Sequence, residues 1–262
     1  MSKKHAVNNL PVTRIKKRWS QADKFPQPDG MVVVWIVDKS KGLDHKSYLR
    51  YLSEEEQQKA GKFRFPSDRA NFILGRSILR ILLGQYLGRD PREILFDHGK
   101  YGKPALAIPS DLAFNISHSE DLIVLGFGKN GSLGIDVERI KSDIDVRDIA
   151  VNYFSKSELR SLASLPDSDQ NQAFFRGWTR KESIIKAKGK GLSHSLDSFT
   201  VSLNRDEEAI LLETVWDPAE REKWKLFSFE PSPGYIAALA VHKNVNSVKY
   251  QGWDPTFLEK IG

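Results

Sequence analysis

The chain has 262 residues, of which 40% are apolar and 10% aromatic, and it contains no cysteine. This composition is typical of a globular protein with a substantial core, and it excludes disulfides, thiolate metal sites and cysteine nucleophiles. The net charge of +6 favours anionic partners such as nucleic acid, phosphorylated cofactors or acidic proteins. No apolar run is long enough to span a membrane, and the amino-terminal region lacks the apolar segment of a secretory signal. We therefore expect a cytoplasmic protein.

Apolar runs and turn signals predict the elements of the chain in order. Residues 31–37, MVVVWIV, form a continuous apolar run that predicts a buried strand. Residues 53–63 begin with Ser and carry Glu three positions later, a capping-box pattern that predicts a helix. A stripe of apolar side chains predicts a longer helix over residues 67–88. Beyond it, strands are predicted at residues 112–119, 122–128, 132–140, 198–203, 224–230 and 235–243, and helical patterns cover residues 147–165 and 171–189.

The predicted strand over residues 132–140, SLGIDVERI, carries two carboxylates among its apolar residues. Asp136 and Glu138 are two positions apart, so an extended backbone places both side chains on one face. Like charges this close repel each other, and burying either one is costly unless something compensates. These two acids therefore need a partner.

A divalent cation would explain why the two carboxylates tolerate each other. In the predicted helix over residues 171–189, Trp178, Glu182 and Lys186 follow at intervals of four and share a face. Three carboxylates from a strand and a helix suit a hard cation such as Mg²⁺, which takes oxygen ligands and keeps waters or substrate phosphates. Two alternatives stay open: a surface ion pair between Glu182 and Lys186, and a half-exposed strand whose acids meet neighbouring basic residues.

Two parts of the chain resemble each other, which predicts an internal duplication. The segments that begin at Phe114 and Phe227 keep the same spacing of apolar runs, and this register places Asp136 opposite Lys249. Upstream, GRSILR (75–80) in one predicted helix resembles KESIIK (181–186) in the other, which matches Arg76 with Glu182 and Arg80 with Lys186. We interpret the pattern as an α+β pseudo-dimer of two similar halves, each a small, mostly antiparallel sheet packed with helices. The predicted division is a basic tail at residues 1–29, a first half at 30–130 and a second half, with the metal site, at 131–262.

Other segments carry weaker signals. The glycines and lysines after residue 188 follow a helix rather than precede one, so they form no Walker loop, and a helix C-cap is the simpler interpretation. Lys103 lies in a turn, YGKP, as a surface lysine or an anion contact. Ser117 and His118 are adjacent on a strand and point to opposite faces, so they make no nucleophile pair. Hydrogen bonding or phosphate contact suits His118 better than metal binding, because the other histidines show no ligand spacing with it.

These motifs together resemble those of the Sfp-type 4′-phosphopantetheinyl transferases. The pattern is GIDVERI followed by WTRKESIIKAKGKGL, with FNISHSE and YGKPAL upstream, and the resemblance extends over residues 50–245. It implies a pseudo-dimer with an active site between the halves. It also implies a reaction, in which the 4′-phosphopantetheine arm of coenzyme A passes to a serine of an apo acyl or peptidyl carrier protein and 3′,5′-ADP is released.

The resemblance also assigns roles to residues. Asp136, Glu138 and Glu182 would hold Mg²⁺ with the pyrophosphate of coenzyme A. Glu182, Lys186 and Asp136 would be the catalytic groups, with Lys186 stabilising or protonating the leaving group. One arginine of the family falls near Asn71 here, a departure that puts that contact in doubt. The contacts implied for coenzyme A are Lys59, Lys62, Arg76, Gly102, Lys103, Pro104, Ser117, His118, Lys181 and Lys186.

These residue types suit the transfer reaction, but they leave open which group acts as the base and which pathway the protein serves. Transfer from a pyrophosphate needs its charge neutralised, by Mg²⁺ and lysines, and a serine activated by Glu182 or by a strand carboxylate acting through water. Basic and apolar residues over 140–165 are candidates for docking an acidic carrier, and the duplication favours a monomer. Fatty acid, polyketide and nonribosomal peptide pathways all stay open. The rival functions are a Mg²⁺-dependent nuclease and a basic nucleic-acid-binding protein, although we expect neither nucleic acid nor a membrane as partner.

Overall fold

The structure is a computed structural model that describes residues 13–14, 25–99, 102–129, 131–189, 195–205 and 209–260. Most of the predicted basic tail lies outside the described residues, as do Tyr101 of the YGKP turn and residues 190–194 after the predicted helix. Among the described residues, no helix is both long and apolar enough to cross a membrane.

The secondary structure alternates between helices and short strands. The helices are α1 (His45–Tyr48), α2 (Glu54–Gly61), α3 (Pro66–Leu87), α4 (Val146–Tyr153), α5 (Lys156–Ala163) and α6 (Asp167–Lys188). The strands are β1 (Thr13–Arg14), β2 (Val32–Asp38), β3 (Phe96–His98), β4 (Pro104–Leu106), β5 (Leu112–Ser119), β6 (Leu122–Lys129), β7 (Leu133–Arg139), β8 (Phe199–Val201), β9 (Leu211–Thr214), β10 (Trp224–Glu230), β11 (Tyr235–His242) and β12 (Val248–Gly252).

The described elements form two halves of similar build. One sheet has the strand order β12, β2, β6, β5 and the other has the order β1, β10, β11, β7, with β3–β4 and β8–β9 as small separate pairs. Neighbouring strands are antiparallel, except that β12 runs parallel to β2 and β1 runs parallel to β10. The predicted α+β fold with small, mostly antiparallel sheets is therefore confirmed.

Three apolar cores stack the layers in the order helix, sheet, sheet, helix. Trp35 of β2 faces the core beneath α3, whereas Val34 faces the core between the two sheets. Because β2 is buried on both faces, it is a continuous apolar run rather than an alternating one. The third core lies beneath α6 and includes Ile184 and Ile185. The opposite edge of that helix, with Glu182 and Lys186, is left half-exposed.

Each half contains a capping box whose glutamate also binds a cation of the long helix. Glu56 of the α2 capping box accepts a 2.5 Å hydrogen bond from Nε of Arg80 in α3. Glu158 of the α5 capping box lies 2.8 Å from Nζ of Lys181 in α6, and both side chains are fully buried. Each cation also donates to backbone carbonyls in the segment after its helix. The same kind of ion pair thus holds each long helix against the neighbouring short helix.

These pairs correct the predicted register of the helices. Arg80 has the partners in the first half that Lys181 has in the second, so Arg80 matches Lys181. The residue that follows Arg80, and so matches Glu182, is Ile81 rather than the predicted Arg76. The sequence comparison failed here because amphipathic helices resemble each other at several offsets.

The sheets correct the predicted register of the strands as well. The hairpins β5–β6 and β10–β11 correspond, but β10 is one residue out of the predicted register. The predicted spacing matches Phe127 of β6 with Ala240 of β11. Phe127 pairs with Phe114, whereas Ala240 pairs with Leu226, so Leu226 rather than the predicted Phe227 matches Phe114.

In addition, β7 occupies beside β11 the place that β2 occupies beside β6. Asp136 pairs with Ala238 of β11, and Trp35 of β2 pairs with Leu125 of β6. Asp136 therefore matches Trp35, and the predicted match with Lys249 of β12 is wrong.

The two ends of the described chain exchange partners between the sheets. Residues 248–252, predicted to belong to the second half, form β12 in the sheet of the first half. Thr13–Arg14, within the predicted tail, form β1 in the sheet of the second half. The boundaries at residues 29/30 and 130/131 stay predictions, and the strand exchange shows that the halves are tied together.

Candidate active site

The site lies at the seam, which we define as the line along which the edge strands β5 and β7 run side by side. Every second residue of β5, namely Asn115, Ser117 and Ser119, faces β7. Asn115 accepts a 2.9 Å hydrogen bond from a backbone amide of β7. Ser117 Oγ donates to Oδ1 of Asp136 at 2.9 Å, and Ser119 Oγ donates to Oε2 of Glu138 at 2.8 Å. Hydroxyl groups from the first half thus orient both carboxylates of the second.

Asp136 is the most buried acid of the site, with 3% of its surface exposed. Its Oδ1 accepts hydrogen bonds from Nζ of Lys186 at 2.6 Å and from Ser117. Burial raises the pKa of the Asp136 carboxyl, and the charge and hydrogen bond of Lys186 oppose that rise. Its other oxygen, Oδ2, is buried without a hydrogen-bond partner. An orphaned carboxylate oxygen is unfavourable in a protein interior unless a cation or donor approaches it.

Glu138 and Glu182 lie close enough to Asp136 to feel its charge. Burial raises the pKa of each of these carboxyl groups, and repulsion by Asp136 raises it further, while Lys186 lowers it. In the part of the chain that the structure describes, no group of three or more His, Asp or Glu side chains is arranged so that it could hold a metal ion without further ligands or movement. An all-oxygen donor set with an orphaned oxygen fits a hard cation that completes its shell with water and substrate oxygens.

A cavity of about 430 Å³ lies on the first-half side of β5. Ile116 and His118 face it, while Ser117 between them faces the carboxylates, so the predicted opposition of Ser117 and His118 is borne out by the strand geometry. Ser117 was predicted to contact the nucleotide beside His118, and its hydrogen bonds instead place it with the acids. The cavity is lined by Phe63, Asp68, Asn71, Phe72, Gly75, Arg76, Leu79, Pro104, Ile116 and His118.

Charges of both signs act on His118. Partial burial lowers the pKa of its imidazole, and the neighbouring ammonium groups of Lys39 and Lys186 lower it further, while the carboxylates of Asp68 and Asp136 oppose this shift. Nζ of Lys39 donates a hydrogen bond to Oδ1 of Asn71, a lining residue. An anion bound beside these groups would favour the imidazolium form of His118.

The other predicted cations of the first half lie around the same cavity. Arg76 lines it, with Nε 3.1 Å from Oε1 of Glu56. The ammonium of Lys59 lies 5.3 Å from the ring centroid of Phe72, a lining residue. Lys62 is exposed at the carboxyl end of α2, next to the lining residue Phe63. Arg76 therefore lines the cavity together with His118, whereas Lys59 and Lys62 lie next to residues that line it.

Two predicted coenzyme contacts have other partners. Lys181 is fully buried and paired with Glu158, so this geometry does not support its predicted contact with phosphate. Nζ of Lys103 donates to the carbonyl oxygens of Leu133 and Lys186 at 3.0 and 2.7 Å. The neighbours of Lys103 fit the prediction better: Pro104 lines the cavity, and Gly102 has a φ of 80°, which only glycine adopts without strain.

Sequence reasoning missed Lys39 and Ser119. Ser119 follows Ser117 at the strand period of two, and that alternation was available in the sequence as a signal. Lys39 follows the end of β2, and no local pattern links it to Asn71 in α3. A contact between residues this far apart in the sequence depends on how the helix packs on the sheet.

Comparisons with known proteins identify the family of this chain. A model of the 4′-phosphopantetheinyl transferase superfamily matches residues 132–240, and a model described as 4′-phosphopantetheinyl transferase, N-terminal, matches residues 40–128. The chain is 37% identical over 209 residues to the 4′-phosphopantetheinyl transferase HetI of Nostoc sp., covering 79% of this chain and 82% of HetI. It is 31% identical over 213 residues to Sfp of Bacillus subtilis, covering 79% of this chain and 92% of Sfp.

A mouse protein, L-aminoadipate-semialdehyde dehydrogenase-phosphopantetheinyl transferase, is 31% identical over 225 residues, covering 80% of this chain and 72% of that protein. The fold and the site thus define a transferase, and the chain belongs to the 4′-phosphopantetheinyl transferase superfamily. Within it, the similarity to Sfp and HetI confirms the resemblance to the Sfp type. The nuclease and nucleic-acid-binding alternatives gain no support from these matches.

Proposed function

We propose that this chain transfers the 4′-phosphopantetheine arm of coenzyme A to a serine hydroxyl of an apo acyl or peptidyl carrier protein, in a Mg²⁺-dependent reaction that releases 3′,5′-ADP. The observation that carries the proposal is the meeting of Asp136, Glu138, Glu182 and Lys186 at the seam, next to a cavity of about 430 Å³. That volume suits a small-molecule ligand, for which pockets of roughly 300–1,000 Å³ are usual.

The residues of the seam would bind the cation and hold its ligands in place. Asp136, Glu138 and Glu182 supply the oxygen ligands for Mg²⁺, with the orphaned Oδ2 of Asp136 as one of them. When bound, the cation would neutralise charge on the pyrophosphate oxygens of the substrate. Ser117 and Ser119 hold two of the carboxylates in place from the neighbouring strand.

The transfer exchanges one phosphorus–oxygen bond for another. The serine oxygen bonds to the phosphorus that carries pantetheine, and the bond from that phosphorus to the bridging oxygen breaks, so 3′,5′-ADP leaves with the bridging oxygen. The serine proton passes to Glu182 or to a water held by Asp136 or Glu138. Lys186 supplies positive charge, or a proton, to the leaving phosphate.

We assign the nucleotide end of coenzyme A to the cavity. His118 offers a ring nitrogen at its wall, Lys39 offers positive charge next to the lining residue Asn71, and Lys59, Lys62 and Arg76 offer more positive charge around it. The phosphate groups of coenzyme A are the anion that this arrangement would attract. Gly102 and Pro104 would lie beside the adenine, as the YGKP motif implies.

We place the carrier protein on α4 and α5, within residues 140–165. Val151 and Tyr153 are 68% and 43% exposed, and the Tyr153 ring packs edge-to-face on Trp178 at 5.3 Å between centroids. Lys156 and Arg160 are exposed on the next helix. Trp178 lies one turn before Glu182 in α6, so this surface adjoins the seam. An acidic helical partner would complement it and associate faster. A cytoplasmic location and a monomeric state stay predictions.

The decisive experiment mixes the protein with coenzyme A, MgCl₂ and an apo carrier protein, and measures the carrier by intact mass spectrometry. We expect a phosphopantetheine adduct on the carrier serine, dependent on Mg²⁺ and absent with Asp136→Ala. Parallel incubation with DNA and RNA tests the nuclease alternative. Several apo carriers left unmodified, with nucleic acid cut or bound instead, would refute the transferase proposal.

A further inference from the structure

The side chain of Lys103 crosses from the first half to the end of α6 in the second. Its Nζ donates hydrogen bonds to the carbonyl oxygens of Leu133 at 3.0 Å, Lys186 at 2.7 Å and Ala187 at 3.4 Å. Leu133 begins β7, and the other two residues belong to the last turn of α6. One ammonium group therefore joins the two elements that carry the catalytic residues.

These contacts satisfy carbonyl groups at the carboxyl end of α6. The last carbonyl groups of an α-helix have no intrahelical partner and need a donor when they are buried. Gly189 N satisfies the carbonyl of Ile185 at 3.1 Å, and Lys103 satisfies the next two. An ammonium has three N–H donors, and it is favoured at the negative end of the helix dipole.

The helix is also unusually close to β7 at this point. A Cβ atom on Gly134 would lie 2.1 Å from the carbonyl oxygen of Ser183 and 2.2 Å from the amide nitrogen of Ala187. Backbone therefore meets backbone there, directly beside the Lys103 contacts. Asp136 and Lys186, whose side chains pair at 2.6 Å, lie just beyond this crossing on the same two elements.

The backbone beside Lys103 belongs to the cavity, because Pro104 lines it. The segment thus reaches the proposed coenzyme site through its backbone and α6 through its side chain. We infer that Lys103 is a positioning residue that fastens α6 to β7 across the seam and so holds Glu182 and Lys186 in register with Asp136, rather than a contact to the anionic groups of coenzyme A. This inference rests on the proposed function only for its kinetic readout.

The test compares Lys103→Met, which removes the three donors at similar length, with Lys103→Arg, which keeps donors. Lys129→Met, a change at an exposed lysine paired with Asp29, is the matched control. Measurements are made at pH 7, below the pKa of about 8 that burial gives Lys103. They are amide hydrogen exchange at the end of α6 without ligands, the dissociation constant for coenzyme A by calorimetry, and kcat.

In Lys103→Met we expect exchange at the end of α6 to rise and kcat to fall about tenfold or more, since a misplacement of about 1 Å can cost roughly a hundredfold in rate. The coenzyme A dissociation constant should stay within about threefold of wild type, which is less than 1 kcal/mol. Lys103→Arg should restore protection and part of kcat, and Lys129→Met should match wild type.

A coenzyme A affinity weakened more than about tenfold with unchanged exchange in α6 would overturn the inference and make Lys103 an anion contact. Wild-type values throughout in Lys103→Met would overturn it as well. If Lys103→Met does not fold, Lys103→Arg decides: near-native exchange and coenzyme A binding support the inference, and weakened coenzyme A binding with native exchange refutes it. Because exchange is measured without coenzyme A or carrier, a failure of the proposed function leaves this readout intact.

Discussion

Nζ of Lys186 lies 2.6 Å from Oδ1 of Asp136, so a lysine of α6 neutralises the most buried carboxylate of β7. A carboxylate at this depth without a cationic partner would be strongly unfavourable. The Lys186 ammonium therefore opposes the effect of burial, which raises the pKa of the Asp136 carboxyl. A cation that binds Asp136 would share this role and leave the ammonium available to the substrate.

Replacing Asp136 by Asn should abolish function and preserve the fold. The amide keeps the shape and can accept the Ser117 hydrogen bond, but it removes the charge that a cation and Lys186 require. We expect the transfer rate to fall at least about a hundredfold, the scale of losing one key electrostatic group. The carrier mass assay and thermal unfolding measure the two effects. Asp29→Asn, at an exposed acid, is the control. Undiminished transfer in Asp136→Asn would refute its assigned role.

Breaking the buried pair of Glu158 and Lys181 should cost much stability. Both side chains are fully buried, and removing one partner leaves the other charge uncompensated. For Glu158→Ala we expect a loss of about 3–5 kcal/mol in the free energy of unfolding, measured by urea denaturation. The exposed Lys223–Asp217 pair offers a comparison, because Lys223→Ala should change the free energy of unfolding far less than Glu158→Ala does. Equal losses in the two variants would contradict this account of Glu158.

Gly134→Ala should be far more damaging than Gly131→Ala. A methyl group at Gly134 would meet backbone atoms of α6 at 2.1 and 2.2 Å, so helix and strand must separate. At Gly131 the nearest atom would be 3.5 Å away, an ordinary contact. We expect Gly134→Ala to lower both the melting temperature and the transfer rate, and Gly131→Ala to leave the rate nearly unchanged. Similar rates in the two variants would show that the close crossing does not position the site.

His118 should titrate below its usual range and respond to coenzyme A. Burial and the neighbouring ammonium groups lower the pKa of the imidazole in the folded protein below 6.5. The pKa of His118 in the unfolded chain is about 6.5. Between this value and the lower pKa of the folded protein, the unfolded chain binds more protons, so the contribution of His118 to stability is lost as the pH falls below about 6.5. A phosphate beside the ring would raise the pKa, because it favours the imidazolium.

Histidine NMR titrations without ligand and with coenzyme A measure this directly. Dephospho-coenzyme A, which lacks the 3′-phosphate, is the matched ligand. A larger rise of the His118 pKa with coenzyme A than with the dephospho form identifies the 3′-phosphate as the neighbour. No rise with either ligand would remove His118 from the proposed phosphate contacts.

Local signals in the sequence were enough to predict most elements. The structure contains the predicted capping box at Ser53 and the predicted strand over residues 224–230. It also contains a strand, Leu133–Arg139, where residues 132–140 were predicted to carry two carboxylates on one face. The helix α6 begins at Asp167, before the predicted residue 171, because the turn at Pro166 starts it earlier. Such features depend on residues within one or two turns of each other.

The targets of long side chains could not be predicted in the same way. Lys103 and Lys181 both lie within motifs that suggested anion binding, yet their ammonium groups end on backbone carbonyls of other elements. A lysine side chain reaches several possible acceptors, and tertiary packing decides between them. The predicted match between residues of the two halves was wrong for a related reason. Buried pairs such as Glu56–Arg80 show which residues correspond, whereas apolar stripes resemble each other at several offsets.

The exchanged end strand sets an order on folding. Val248 of β12 pairs with Val32 of β2, so the first sheet gains its last strand from residues made long after β2 itself. Until then β2 is an unprotected edge, and such edges invite pairing with strands of other chains. A nascent chain or a fragment that stops before residue 248 is therefore exposed to aggregation along β2, although most of its helices and its hairpins are already complete.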